Sequence, residues 1–384
     1  MKIDIIASTN PGYVVDKKDL DDFCGKVAGV CYMPHSFNEL LKEDETKTEK
    51  RVNRTMNDKH HSVFEHGYIT LYLENIPKLM AMVLNNEKVF VTSEKSARYT
   101  EMKVSKREQF LYNKWKEIIL EKIKQKYPQD NQFFNNSRRE KLAQENARYM
   151  ISDMTHTSMV YTLSYRQLNY ICGMFEKEIN KENSNYKILI PYFKIFVDFA
   201  NKSGYIDERL KEDGKNRELS LFSNKKRKEY FGEVYCTNYE GTVAQYAQAQ
   251  RHRTINYDIN FLSPKGVYVP NILWEDMDLS LDWIDDMESV GDLRPQGFMY
   301  DINERGTVEN LIMKAKERLC SFAQLEIDQQ TRATIDKYAN YVKGDTEMYN
   351  KIKQYTKGSR CTFPDYKCPN PCGFKDGVTG ERMI

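Results

Sequence analysis

Apolar and polar residues alternate along Tyr68-Ile69-Thr70-Leu71-Tyr72-Leu73, the period-two pattern of a strand with one buried face. Pro77 follows, and the mainly apolar run 78–84 predicts a short helix, since proline suits a first helical turn. A polar break, Asn85-Asn86-Glu87-Lys88, separates it from a second apolar run, Val89-Phe90-Val91. The spacing of Leu111, Trp115, Ile118, Ile119 and Ile123 predicts an amphipathic helix over 101–126. Two more helices are predicted over 141–149 and 159–175, the second with an apolar stripe of Met159, Leu163, Leu168 and Ile171. Arg148, Ser164 and Arg166 stand among these apolar positions, where a purely structural helix seldom places them.

Residues 201–228 are polar and charge-rich, ending in Lys225-Lys226-Arg227-Lys228, and predict a solvated linker. Beyond it the order of parts recurs: a strand over 233–237, a helix over 242–250, an irregular Pro/Gly stretch, and a helical run over 306–341. This recurrence predicts a diverged internal duplication, with repeats at 1–215 and 216–345 and a Cys-containing tail at 346–384. Neither Gly-x-Gly-x-x-Gly nor a Walker loop occurs, so a Rossmann domain is not expected.

Length and composition narrow the class. The chain has 384 residues, 40% hydrophobic and 30% charged, enough for two or three soluble compact domains. A net charge of +2 gives no case for bulk attraction to nucleic acid or membrane. No apolar run reaches spanning length, and 1–6 lacks the apolar region of an export signal, so a reducing cytoplasmic setting is expected. The 8 cysteines are then thiols or metal ligands. Cys361, Cys368 and Cys372 could hold zinc if a fourth ligand came from elsewhere, but the spacing is not that of a standard finger; free thiols are the competing reading.

The candidate chemistry centres on Gln248-Ala249-Gln250-Arg251-His252-Arg253. Guanidinium groups this close repel one another, and their planar forks match phosphate oxygens in pairs. A second run, Ser93-Glu94-Lys95-Ser96-Ala97-Arg98-Tyr99, lies far upstream. Together with Glu65-His66, Arg148, Ser164-x-Arg166 and Arg318 followed by Ala323-Gln324-Leu325-Glu326-Ile327, these runs resemble the motifs of the flavin-dependent thymidylate synthases. The resemblance covers most of 60–345 and is divided between the repeats. The first keeps Glu65-His66, Glu94-x-Ser96-x-Arg98-Tyr99, Arg148 and Arg166, but has Asn86-Glu87-Lys88 for Arg-His-Arg and Phe175 for the late Arg. The second keeps Gln248-x-x-Arg251-His252-Arg253 and Arg318, but has Gly232 for the His and Thr307-x-Glu309 for Asn-x-Arg.

The resemblance implies an α/β (α+β) fold of two such repeats, each a small, mostly antiparallel sheet packed with helices. It implies FAD-dependent conversion of dUMP to dTMP, with methylenetetrahydrofolate as carbon donor and NADPH as reductant. Arg98, Arg148 and Ser96 would hold the nucleotide phosphate, and Gln248, Arg251 and Glu94 would complete the substrate side. Arg318 would meet the uracil carbonyl and, with Arg251, carry the catalytic role. His252, Arg253 and Arg251 would line the flavin, with His66, Glu94, Arg166 and Asn169 as further flavin contacts. A homodimer mimicking the family's tetramer would assemble each site from unequal halves. The competing implications are another 5-modified pyrimidine product, or a non-catalytic nucleotide-binding protein. Bland readings stand beside these. His66 could be a structural partner, and Glu94 with Arg98 a surface ion pair worth about 0.3–0.5 kcal/mol. The stem of Arg166 could pack along the apolar stripe, and Arg318 could pair with Glu326.

Overall fold

A computed structural model describes residues 1–9, 16–34, 36–96, 100, 102–212 and 217–384. The chain forms two compact units, one of residues 1–95 and 156–220, the other of 96–155 and 221–384. The division does not follow chain order: the segment 96–155 belongs with the later half, and so does the tail.

The first unit is built on a four-stranded sheet in the order β1-β2-β4-β3, with β1 at Lys2–Ser8, β2 at Tyr68–Pro77, β3 at Phe90–Glu94 and β4 at His156–Ser164. Every neighbouring pair is antiparallel. Ile69, Leu71 and Leu73 of β2 point into the core, as their alternation predicts. The pairing of β2 with β4 shifts register between Leu73 and Ile76, where Asn75 takes a positive φ of 55° that asparagine tolerates better than most residues. The expected helix follows at Lys78–Leu84 and is buried on every side from Leu79 onward, which explains its unbroken apolar run.

The second unit repeats this plan. Its main sheet runs β5-β6-β9-β7, with β5 at Tyr230–Phe231, β6 at Val234–Thr242, β7 at Asn256–Asn260 and β9 at Phe298–Thr307; β8, Gly266–Val267, pairs with β9. All its pairings are antiparallel. A buried helix, Val243–Ala249, follows β6 as Lys78–Leu84 follows β2, and both are 7 residues long. The helices Tyr165–Ile179 and Val308–Arg318 leave β4 and β9 from equivalent caps, Ser164 and Thr307. Register fixes the correspondence: Val91 opposite Thr162 takes the place of Asn256 opposite Arg305. Residues 78–94 thus correspond to 243–259 without insertion or deletion, and Asn86-Glu87-Lys88 occupies the place of Arg251-His252-Arg253. By the same reckoning Phe175 stands where Arg318 stands.

Several expectations need correction. The helix expected over 159–175 is the strand β4 up to Ser164 and a helix only from Tyr165. Thr157, Met159, Tyr161 and Leu163 are the buried set, a period-two pattern that also satisfies part of a helical stripe. The run 306–341 is the end of β9 and two helices, Val308–Arg318 and Leu325–Tyr341, broken at 319–324. The helix expected from 101 begins at Lys106, where Ser105 and Glu108 form a capping box. The helix expected over 141–149 spans Asn136–Ala147 and passes into a tight turn at Arg148–Met150. The stretch 201–228 is not wholly solvated, since Leu210, Leu219, Leu221 and Phe222 are buried. The tail is no loose appendage either, because Tyr355, Phe363, Phe374 and Ile384 lie in the cores of the second unit.

One of those cores is centred on Trp115 and Trp283, edge to face at 5.0 Å. The indole N–H of Trp283 donates to the Tyr268 carbonyl at 2.8 Å, so this large side chain is buried with its polar group satisfied. Trp283→Ala is expected to cost about 3–5 kcal/mol of stability, read as a lowered denaturation midpoint. An unchanged midpoint would show that this contact does not hold the unit.

Candidate functional site

Five side chains singled out from the sequence meet, or nearly meet, in the second unit. The Val243–Ala249 helix places Gln248 on its last turn, buried, and the chain then folds through Arg251 and His252 in a tight turn, with His252 N–H bonded to Ala249 O at 3.0 Å. The Val308–Arg318 helix ends by directing Arg318 at this turn. Arg318 Nε donates to His252 Nε2 at 2.8 Å, and its Nη2 donates to Gln248 O at 3.1 Å. His252 therefore presents a lone pair at Nε2 and keeps its proton at Nδ1. Burial first, then the charges of Arg318 and Lys314, pull the imidazole pKa down to about 2. Arg251 and Arg253 are exposed.

Arg148 enters from the turn after Asn136–Ala147 and is buried. Its Nη2 donates to Gln324 Oε1 at 2.5 Å and to Ala244 O at 3.3 Å. The same Gln324 oxygen accepts from Gln248 Nε2 at 2.5 Å, while Gln324 Nε2 donates to the Tyr149 hydroxyl at 2.5 Å. Tyr149 donates in turn to Glu326 Oε2 at 2.7 Å, and Glu326 also accepts from Thr242 N–H at 2.9 Å and Thr242 Oγ1 at 2.8 Å. Burial raises the pKa of the Glu326 carboxyl, against the lowering effect of these donors. The Arg318–Glu326 pair that sequence allowed is not formed: each has other partners.

Fixing Gln248 Nε2 on Gln324 leaves Gln248 Oε1 as a buried acceptor with no hydrogen-bond partner among the described residues, and both amide atoms of the buried Gln250 are likewise unpaired. Buried polar atoms without a protein partner call for one from ordered water, an ion or a ligand.

Behind Arg318 lies a second buried network. Lys314 Nζ meets Glu304 Oε2 at 2.6 Å and Gln330 Oε1 at 2.9 Å, and Tyr235 and Tyr239 donate to Glu304 at 2.6 and 3.0 Å. Both charged side chains are fully enclosed, so each needs the other. Nothing in the sequence reading marked Lys314, Glu304, Tyr149 or Thr242. Their only signal is polar residues at inward positions of otherwise apolar elements.

The remaining candidates belong to the first unit or its boundary. Arg166 Nη1 donates to Glu65 at 2.8 Å and its Nε to the Tyr170 hydroxyl at 2.7 Å. His66, next in the chain to Glu65, is exposed. Asn169 is wholly buried. It donates to the carbonyls of Tyr165 and Tyr205 at 3.0 and 3.1 Å and accepts from Asp207 N–H at 2.8 Å, so its amide ties the helix to the following segment. Glu94 is enclosed and paired with Lys78 at 2.5 Å. Ser96 is half-buried and accepts at its carbonyl from Thr100. Arg98 lies outside the described residues. Among the described residues no group of three or more His, Cys, Asp or Glu side chains is placed to hold a metal ion, so the zinc reading of Cys361, Cys368 and Cys372 finds no support; all the cysteines are free thiols.

Residues 13–183 match the family model described as thymidylate synthase complementing protein. The matched stretch, under half of the chain, is similar to this family. Curated relatives are remote: a flavin-dependent thymidylate synthase of Pyrococcus furiosus is 22% identical over 151 residues, 36% of this chain and 57% of the relative. That of Pyrococcus abyssi is 23% identical over 148 residues, 35% of this chain and 57% of the relative. The chain thus spans little more than half the length of these relatives. Among solved structures, a UMP/dUMP methylase PolB from Streptomyces cacaoi bound with 5-Br dUMP is 13% identical, with a TM-score of 0.35, covering 54% of this chain and 92% of that one. Thymidylate synthase X from Helicobacter pylori with FAD and dUMP is 15% identical, with a TM-score of 0.34, covering 56% and 100%. No helix among the described residues is long and apolar enough to cross a membrane.

The state of His252 is directly measurable. The folded state holds the neutral ring, whereas the unfolded chain takes up a proton near 6.5. This group is therefore neutral to stability above that pH and subtracts from it as pH falls below. The His252 ring resonances are expected to stay constant from pH 8 down to pH 4.5; a titration centred near 6.5 would contradict the geometry at Nε2.

Proposed function

We propose that this chain is an FAD-dependent thymidylate synthase, methylating dUMP to dTMP with methylenetetrahydrofolate as carbon donor and NADPH as the source of reducing equivalents. The observation that carries the reading is the shared Gln324 oxygen, which draws Arg148 and Gln248 to one point in the unit that also holds the Arg318–His252 pair. These are the residues to which the motif resemblance gives the phosphate, the pyrimidine and the flavin edge.

Each group has a task that its surroundings support. Arg148, whose Nη2 donates to the Gln324 amide oxygen, would present its charge to a phosphate dianion. Arg98 and the Ser96 hydroxyl join it. Gln248, with its amide orientation fixed by Gln324, offers Oε1 to a ring N–H, the edge that distinguishes uracil from cytosine. Arg318 stabilises negative charge developing on the uracil carbonyl. Because His252 is neutral, it orients that guanidinium without cancelling its charge. FAD, when bound, supplies a hydride to the pyrimidine, with Arg251, His252 and Arg253 along its edge and His66, Glu94 and Arg166 as contacts from the first repeat. The two repeats descend from one ancestral unit and have divided the motif between them. A homodimer that mimics a tetramer brings the complementary halves into a common site. The working compartment is the cytoplasm.

Purified protein is expected to carry the visible absorbance of bound flavin and to form dTMP from dUMP, methylenetetrahydrofolate and NADPH, identified by mass. A colourless protein that takes up no added FAD would overturn the reading, and a product other than a methylated dUMP would assign a different pyrimidine substrate or modification. Arg318→Ala is expected to lower kcat by about 10²–10³, the usual loss on removing one donor from a developing oxyanion. Unchanged turnover would remove Arg318 from the chemistry.

A further inference from the structure

The connector 319–324 joins two helices whose ends both face the site: Arg318 closes one, and Gln324 and Glu326 open the other. A connector of this kind has carbonyls with no helical partner, and buried carbonyls require donors. The donors come from the tail. Arg382, 2% exposed, places Nη1 at 3.3 Å from Ser321 O and 2.9 Å from Ile384 O, and Nη2 at 2.9 Å from Ala323 O. Nη2 also lies 3.5 Å from Asp328 Oδ2, on the first turn of the Leu325–Tyr341 helix. One planar guanidinium therefore grips the connector on both sides of Phe322 and the helix it leads into.

The tail is shaped for this approach. Gly377 passes so close that a Cβ there would collide with the Ser321 side chain. Gly380 turns the chain with a φ of +89°, a conformation that favours glycine, and Arg382 follows two residues later. Arg138 adds a second donor to Ser321 O at 3.3 Å and stacks over Phe322 at 5.0 Å.

Resting on the thymidylate synthase reading, we propose that Arg382 is a positioning residue for the nucleotide site, acting through the 321–324 backbone on the amide of Gln324. It touches none of the reacting groups. It fixes the turn that delivers the Gln324 oxygen to Arg148 and Gln248. Lysine keeps the charge at this place but cannot reach both carbonyls with one planar fork.

The test is a double-mutant cycle on the full-length protein, read by calorimetric dUMP affinity. Arg382→Lys is expected to weaken dUMP binding about tenfold in the Gln324 background, and less than about twofold when Gln324→Ala is already present. Hydrogen exchange of the segment 319–327 without ligand is expected to quicken in Arg382→Lys while the sheet β5-β6-β9-β7 keeps its protection. Wild-type affinity in folded Arg382→Lys would overturn the proposal, as would equal losses in both backgrounds. Should Arg382→Lys not fold, Asp328→Asn, which loosens the same guanidinium, carries the test with the same expected signs. If the wild-type protein binds no dUMP, the thymidylate synthase reading falls. The positioning claim is then still decided by the exchange of 319–327, and unchanged exchange there would overturn it.

Discussion

A single amide oxygen organises the second unit. Gln324 Oε1 accepts from a guanidinium and from another amide at once, and the Gln324 nitrogen passes the constraint to Tyr149 and so to Glu326 and Thr242. Inside a protein an unpaired polar group costs about 1–3 kcal/mol, so each member of this chain is held by what the next member lacks. Three separate stretches of sequence are tied together in this way: the turn at Arg148, the start and end of the Val243–Ala249 helix, and the start of the Leu325–Tyr341 helix. A charged network would have been an alternative. A neutral amide at the hub has a different consequence, since it gathers cationic and polar groups without neutralising them.

The first unit shows the same scaffold put to other use. Where His252 accepts from Arg318, the corresponding Glu87 accepts from Ser220 N–H and Oγ at 2.7 and 2.8 Å, and Asn86 donates to the same serine at 2.8 Å. Where Arg318 stands, Phe175 stacks on Phe193 at 4.1 Å. Burial raises the pKa of Glu87, and where the second unit has a cationic pair the first has a clasp for the segment that leads out of the unit. Charge and shape differ together at these paired places.

Much of this was legible in the sequence because it rests on local rules. The β2 alternation, the proline-opened helix and the matching of Asn86-Glu87-Lys88 with Arg251-His252-Arg253 needed only period, cap and motif. The misread elements share a physical cause. In β4 the inward residues Met159 and Leu163 are four apart, a spacing that serves a strand and a helix alike, and the β-branched Thr157, Val160 and Thr162 were the better guide. The break at 319–324 has no glycine or proline; the donor to its Ser321 and Ala323 carbonyls, Arg382, lies about sixty positions away, beyond the reach of any local pattern. The partners of Gln324 and of Lys314 were invisible for the same reason, since which buried donor meets which acceptor is decided by tertiary packing.

The unbroken correspondence of 78–94 with 243–259 has a consequence for substitution. No loop differs in length between the two stretches, so one sequence is reached from the other by substitution, with no insertion or deletion. Paths made only of point changes are short and reversible. A chain carrying the second unit's residues at Asn86, Glu87, Lys88 and Phe175 lies within reach of ordinary point mutation.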